Sequence, residues 1–285
     1  MTTFDAQSFK ETTRTQWDAV AQHWNDWGPV LDAWLGPATE TMLDMAQVGD
    51  GDAVLHVAGG SGQEAIQSAK RVGAAGTVVS TDFSKELVQL ANRNFEAAGL
   101  GHASAQLADG EDVNLAGDPF DAVFSRVGLI YFPDKVASLK AQIKAIKPGG
   151  HVGAIVYATG PENGFFSGPV GVIRRHANLP APAPEQPGPF SLGDEGTIDR
   201  LFASVGLENV RVKKIDAPLV LGSAEECLRF EKESFGALHQ MLAALDEDAK
   251  AAAWDEVLET LRGYETEDGF RGPCTLLVAV GQKPE

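Results

Sequence analysis

The sequence predicts an α/β protein built on a mostly parallel sheet covered by helices, and two observations predict it. From Ala53 to about Gln282, apolar runs of strand length alternate with longer amphipathic segments, the pattern that repeated βαβ units produce. The first of these runs, VLHVA, passes straight into AGGSG and then into a segment of helical character near Gln63. A glycine turn of that kind lets a strand pass tightly into a covering helix.

Taken in order, the first forty residues read as two helices separated by Gly28 and Pro29 and carrying Trp17, Trp24, Trp27 and Trp34. Residues 1–48 are expected to form a helical lid. Strands are expected at AVLHVA from Ala53, TVVSTD from Thr77, ASAQLAD from Ala103, DAVFS from Asp121 and HVGAIVY from His151. The segment SKELVQLANRNFEAAG offers Ser84 as its cap, Leu87, Leu90, Ala91 and Phe95 as one apolar face, and Gly99 as a stop. From Gly160 to Gly193 the chain is rich in glycine and proline, with LPAPAPEQPGP in the middle. That composition suits neither a helix nor a central strand, so an ordered loop near the active site or a linker is expected. There follow a helix near Glu195–Val205, an extended run ENVRVKKIDAPLVL, two helical segments between Ser223 and Tyr264 that form a cap, and a last strand CTLLVAVGQ. On this reading residues 49–285 are one domain with insertions at about 160–193 and 223–266.

Composition narrows the function classes. The 285 residues, 44% of them hydrophobic, can bury the core of one large domain. No stretch reaches the eighteen or so uninterrupted apolar residues of a membrane span. The first thirty residues contain charges and tryptophans where a secretory signal needs a continuous apolar segment, so export is not expected. Cys227 and Cys274 stand far apart with no CxxC or Cys/His cluster, which supports neither a disulfide framework nor a metal site. A cytoplasmic location is the expectation. A net charge of −17 repels a phosphate backbone, which excludes nucleic acid as an expected partner. Lys140, Lys144 and Lys147 read as a solvated helix face.

The strongest local signal is VLHVAGGSGQEA. Its glycines let a ligand approach bare backbone, and the helix start offers free N–H groups with a partial positive charge. Such a site suits a nucleoside or a carboxylate, although a glycine turn between strand and helix also occurs simply as a turn. Asp82 ends the next strand, twenty residues beyond Gly62, where a carboxylate can accept hydrogen bonds from ribose hydroxyls. The alternative makes Asp82 the cap of the following helix, a task Ser84 can share or take. In LADGED, Asp109 can accept from an adenine amino group while the N–H groups of Gly110 or Glu111 meet a ring nitrogen. Alone, that segment also reads as a polar turn. All three turns fall at the carboxyl ends of adjacent parallel strands, where open α/β sheets bind ligands.

The motifs VLHVAGGSGQEA, STDFS, LADGEDVNL, PFDAVFSRVGLIYFPD and IKPGGHVGAIVY, in this order and spacing, resemble the class I methyltransferases, in particular the branch similar to ubiquinone and menaquinone biosynthesis methyltransferases. The resemblance is clear over about residues 15–160 and less specific beyond. It implies a Rossmann-like seven-stranded sheet with an antiparallel last strand, S-adenosyl-L-methionine as cofactor, and direct methyl transfer to a small molecule. By position, the resemblance implies that Ala58, Gly59, Gly60 and Gly62 contact the methionine part, and that Asp82 holds the ribose with Phe83 beside the adenine. It also implies that Asp109, Gly110 and Glu111 frame the adenine edge, and that Ser125 and Arg126 face the methionine portion and the substrate mouth. One position departs from the pattern: the family usually has an acid where this chain has His56. That puts support of the methionine ammonium in doubt unless another carboxylate substitutes, although His56 also reads as a hydrogen-bonded strand residue.

Methyl transfer from a sulfonium is an in-line displacement, so the protein mainly aligns the reactants. Where an acceptor must lose a proton, His23 and His176 are the candidate bases, with no partner for either visible in the sequence, and Arg126 at the substrate mouth is the third catalytic candidate. Trp24 and Trp27 are candidates to roof an aromatic substrate, against the competing reading of aromatic residues at helical spacing as core. Two rivals remain. GSGQEA also fits the dinucleotide pattern GxGxxG/A, and YFPDK mimics a dehydrogenase YxxxK pair, but Pro133 interrupts the continuous helix that such a pair needs. His56 also motivates a cofactor-binding protein that does not methylate. No motif specifies the acceptor or the oligomeric state.

Overall fold

The computed structural model describes residues 4–182 and 186–285. Helix α1 (Ala6–Asp26) starts at Asp5, whose carboxylate caps the Ser8 N–H, and α2 (Gly28–Met45) follows with Pro29 in its first turn. Then come β1 (Ala53–Val57), α3 (Gln63–Val72), β2 (Thr77–Asp82), α4 (Lys85–Ala97), β3 (Ala103–Leu107), β4 (Phe120–Arg126), α5 (Lys135–Ala145) and β5 (Ile146–Tyr157). The remainder comprises α6 (Gly164–His176), α7 (Thr197–Ser204), β6 (Glu208–Asp216), β7 (Leu219–Leu221), α8 (Ala224–Ser234), α9 (Gly236–Leu242), α10 (Glu247–Arg262), β8 (Glu265–Thr266), β9 (Gly269–Gly272) and β10 (Thr275–Gln282).

Seven strands form one sheet in the order β3-β2-β1-β4-β5-β10-β6. The pairs among β1 to β5 are parallel, and β10 runs antiparallel to both β5 and β6. This is the expected α/β sheet with an antiparallel last strand. Strand order reverses between β1 and β4, so the loops leaving those two strands diverge and open a crevice at their carboxyl ends. The central strands are buried on both faces, as parallel strands covered by helices must be. Among the described residues no helix is long and apolar enough to cross a membrane.

Four expectations need correction. Residues 1–48 are not uniformly a lid. In α2, Leu31, Leu35, Ala38, Met42 and Leu43 are completely buried, and the helix packs on α3, β5 and β10. It is part of the core, and only α1 lies across the crevice. Second, the glycine- and proline-rich stretch contains α6, with Pro169 inside it. Burial of Phe165, Phe166, Val172 and Ile173 along one helix face outweighs the roughly 3 kcal/mol that an internal proline costs. Apart from a 3-10 turn at Gly160–Glu162, the rest of that stretch is irregular where it is described, residues 183–185 lying outside the described part. It is tied down where the Gly188 N–H and the Ser191 hydroxyl both donate to the Ile130 carbonyl. Third, the segment expected as two helices has three, because Phe235 leaves helical geometry (φ −118°, ψ 82°) between α8 and α9. Fourth, a small sheet β7-β9-β8 was not anticipated. Its strands of two to four residues are too short for a period-two pattern to register.

Candidate functional site

The crevice is built first by backbone. After β1, Ala58 and Gly60 both take left-handed conformations (φ +57° and +55°). For alanine this costs on the order of 1 kcal/mol, strain that the surrounding fold must impose. At Gly59 a side-chain carbon would lie 2.1 Å from the Ser80 hydroxyl, so only glycine lets the turn close over β2. Helix α3 then begins with no side chain capping its first N–H groups, which leaves them toward the turn.

Asp82 closes the other side. Its Oδ2 accepts the Gly60 N–H at 3.0 Å and its Oδ1 the Ser84 N–H at 2.9 Å. Ser84 itself caps α4 by accepting the Leu87 N–H at 3.2 Å, so Asp82 is not the cap. Its two oxygens retain acceptor capacity facing the crevice. Burial, only partly offset by those N–H donors, pushes its carboxyl up to about 6.

His56 has a carboxylate neighbour. Glu64, in the first turn of α3, sits 3.1 Å from His56 Nδ1 and 2.8 Å from Arg126 Nε, and His56 Nε2 lies 2.8 Å from the Ser68 hydroxyl. Arg126 also reaches Thr39 of α2 at 3.3 Å. With a proton on Nδ1, the imidazole donates to Glu64 and accepts from Ser68, a tautomer inferred from its partners. A carboxylate therefore does stand beside the turn, delivered from the helix and not from the strand.

The crevice wall includes Ala58, Gly59, Gly60, Glu64, Asp82, Phe83, Asp109, Arg126, Gly128 and Tyr131, and α1 covers it with Lys10, Thr13, Trp17 and Trp24. Lys10 is ion-paired to Asp109 and, at 3.0 Å, to Glu111, which pins α1 over the third turn. So closed, the crevice encloses only about 80 Å³. Thr13, Trp17 and Tyr131 also belong to a second cavity of about 700 Å³, walled by Phe9, Phe166, Phe190, Phe235, Leu238 and Met241. The two spaces therefore adjoin.

Several sequence candidates stand elsewhere. Gly62, Gly110, Glu111 and Ser125 lie behind the wall. Gly110 makes room for Phe132, whose ring would be 2.4 Å from a side-chain carbon there, while Glu111 accepts the Asp134 N–H at 2.8 Å. Ser125 is fully buried, and its hydroxyl has no hydrogen-bond partner among the described residues. His23 is exposed on α1, and His176 is held at 2.6 Å by Glu256, so neither meets the crevice as a base. Trp27 is core: it packs against Phe230 and donates to Glu233, and Trp17 takes the place beside the cavities. Glu64 and Lys10 were missed. Glu64 had a signal, an acid in the first turn of the helix after the glycines, whereas Lys10 is one cation in a helix a hundred residues away in sequence.

Residues 54–150 match the family described as a methyltransferase domain. An uncharacterized protein of Mycobacterium bovis is 27% identical over 92% of the chain and 91% of its own length. A ubiquinone/menaquinone biosynthesis C-methyltransferase of Geotalea daltonii is 32% identical over 37% of the chain and 46% of its own. The likeness to that branch, read from the motifs, is thus found again over part of the chain. In structure, a phosphoethanolamine N-methyltransferase of Haemonchus contortus, solved with phosphomonomethylethanolamine and S-adenosylhomocysteine, shares the fold. Its TM-score is 0.59 at 16% identity, over 99% of this chain and 61% of that one.

Proposed function

We propose that this protein transfers a methyl group from S-adenosylmethionine to a small, largely apolar molecule. One observation carries the reading: the glycine turn and the buried Asp82 face a crevice that adjoins a large apolar chamber across Thr13, Trp17 and Tyr131. The donor set fits the cofactor. The backbone at Ala58–Gly60 and the start of α3 would receive the methionine part, Glu64 its ammonium, Asp82 the ribose hydroxyls, and Phe83 with Asp109 the adenine. Bound there, the cofactor supplies a carbon already activated by its sulfonium charge. Trp17 and Tyr131 hold the acceptor against that point and exclude water, which is where an alignment-driven reaction gains its rate. Arg126 pairs with Glu64 and holds it in place. Lys10 ties α1 over the crevice through its pairs with Asp109 and Glu111, so admission of the cofactor would open those pairs. The Glu64 carboxylate at the crevice favours methyl transfer over a cofactor-binding protein that does not methylate.

Thermal unfolding tests the assignment. S-adenosylhomocysteine at about 100 times its Kd adds about 2.7 kcal/mol, a rise in Tm on the order of 5–10 °C, and NADH adds none. A rise with NADH and none with S-adenosylhomocysteine overturns the reading.

A pH dependence follows from Asp82. Its ionised form accepts the ribose hydroxyls, so affinity for S-adenosylhomocysteine is flat above about pH 7. It falls by up to about tenfold per unit once the pH drops below about 6. The folded value lies above the usual 3.8, so protonation favours the free fold. Asp82's contribution to ligand-free stability therefore grows as pH falls from about 6 toward 3.8. Affinity and ligand-free stability move in opposite directions, and Asp82→Asn abolishes both trends. Calorimetric titration from pH 5 to 8 with both proteins checks this.

A further inference from the structure

Helix α6 carries Phe166, Val170 and Arg174 at four-residue spacing, so the three share one face, and all three line the 700 Å³ chamber. From such a face it is the side chains that reach the cavity. Arg174 is half-buried, and among the described residues lining the chamber it is the one that carries a charge. No Asp or Glu stands in that lining, again among the described residues. Within the same described part, the Arg174 guanidinium has neither a hydrogen-bond nor an ion-pair partner, although the next two residues, Arg175 and His176, are both held by Glu256. The chain has 40 Asp and Glu against 23 Lys and Arg, so a half-buried arginine that meets none of them is set apart by its surroundings. Arg14, Arg93 and Arg271 also lack such partners among the described residues, but they are exposed, and water solvates them. A cation in the last turn of a helix also complements the helix dipole, a task that Arg175 and His176 already serve.

We propose that Arg174 is the anion-binding group of this chamber and receives the carboxylate of an otherwise apolar acceptor. The proposal rests on the reading of the chamber as the acceptor's site. An apolar space without a cation rejects a carboxylate, which loses its hydration there without return. The guanidinium supplies both the opposite charge and a planar fork of N–H donors that matches two carboxylate oxygens. A phosphate monoester brings close to two charges, and one guanidinium leaves part of that charge unpaired in an apolar space. An amine finds no carboxylate in the described lining to hold it. Arg174 lines the chamber and not the crevice, so the carboxylate is a handle that orients the acceptor and not the group that takes the methyl. That group must reach the junction at Thr13, Trp17 and Tyr131, where the two spaces adjoin.

Equilibrium dialysis of the full chain at neutral pH measures two pairs of probes, 2-naphthoate with 2-naphthamide and decanoate with decanamide. Within each pair the apolar body is the same and the charge differs. The ratio of carboxylate to amide affinity is compared between wild type and variant, so that the different hydration of the probes cancels. It is expected to fall about tenfold or more in Arg174→Gln, with the amide affinities nearly unchanged. A smaller fall is expected in Arg174→Lys, which keeps the charge without the fork. If Arg174 serves the helix dipole alone, Arg174→Gln lowers the Tm and leaves the ratio where it was, which overturns the subsite, as does no binding of any probe to wild type. Glu185 lies outside the described residues, so the comparison is repeated in Glu185→Gln. A dependence on Arg174 found only in that background assigns the guanidinium to a partner within the chain and overturns the subsite as well. Stabilisation by S-adenosylhomocysteine is measured on the same samples. If it persists while the carboxylate subsite fails, the methyl-transfer reading stands without this one, whereas its loss in wild type removes both.

Discussion

Asp82→Ala is expected to lower the affinity for S-adenosylhomocysteine by 100-fold or more while the protein remains folded. Two ribose hydroxyls donating to one buried carboxylate are charge-assisted hydrogen bonds of about 1.5–3 kcal/mol each, and their joint loss corresponds to roughly two to four decades of affinity. Part of the effect is indirect, because Asp82 Oδ2 also fixes the Gly60 N–H and hence the glycine turn. Stability responds far less. Alanine leaves the Gly60 and Ser84 N–H groups without that acceptor, at about 1–2 kcal/mol, but it also removes a carboxyl that burial disfavours in its ionised form. The Tm without ligand should therefore stay within a few degrees of wild type. Calorimetric titration and a melting curve on the same preparation separate the two effects. Affinity unchanged in the variant would show that the carboxylate does not face the ligand and would end the nucleoside-site assignment.

The crevice was legible in the sequence because its parts are local. A strand passing into glycines, an acid closing the next strand and an acid in the third turn each lie within a few residues of an element end, and periodicity fixes those ends. Parallel pairing then brings Asp82 to Gly60 without further information. What failed was long-range. The two candidate histidines were chosen by residue type alone, and nothing in a sequence says that His176 meets a carboxylate eighty residues later. Trp17, Trp24 and Trp27 share one helical segment and one chemistry, so composition could not separate the residue facing the chamber from the one facing Phe230. Helix α6 was hidden by Pro169, where tertiary burial of Phe165 and Ile173 overrode a local penalty. The lid was over-extended because Gly28 and Pro29 mark a helix boundary, which is silent on whether the next helix is cover or core.

Glu64→Ala is expected to be the most destabilising substitution at the site, by about 3–5 kcal/mol, which corresponds to a fall in Tm on the order of 10 °C. Among the described residues Glu64 is the one carboxylate ion-paired with the Arg126 guanidinium and the His56 ring, both buried, and its removal strands a charge and a donor together. Four elements meet through this group: β1 at His56, α3 at Ser68, β4 at Arg126 and α2 at Thr39. The Coulomb attraction of a buried pair does little more than offset its desolvation, so the loss comes from breaking the pair and not from lacking one. That distinction is testable. Glu64→Leu combined with Arg126→Met, which removes both charges and keeps apolar volume, should recover most of the stability lost in Glu64→Ala. It should not recover affinity for S-adenosylhomocysteine, since the carboxylate offered to the ammonium is gone. Denaturant melts of the two variants give the first comparison and calorimetric titration the second. Recovery of both properties would make Glu64 a purely structural counterion and return the question of the missing strand acid to His56. Equal loss of stability in the single and double variants would show that the group matters for packing and not for charge.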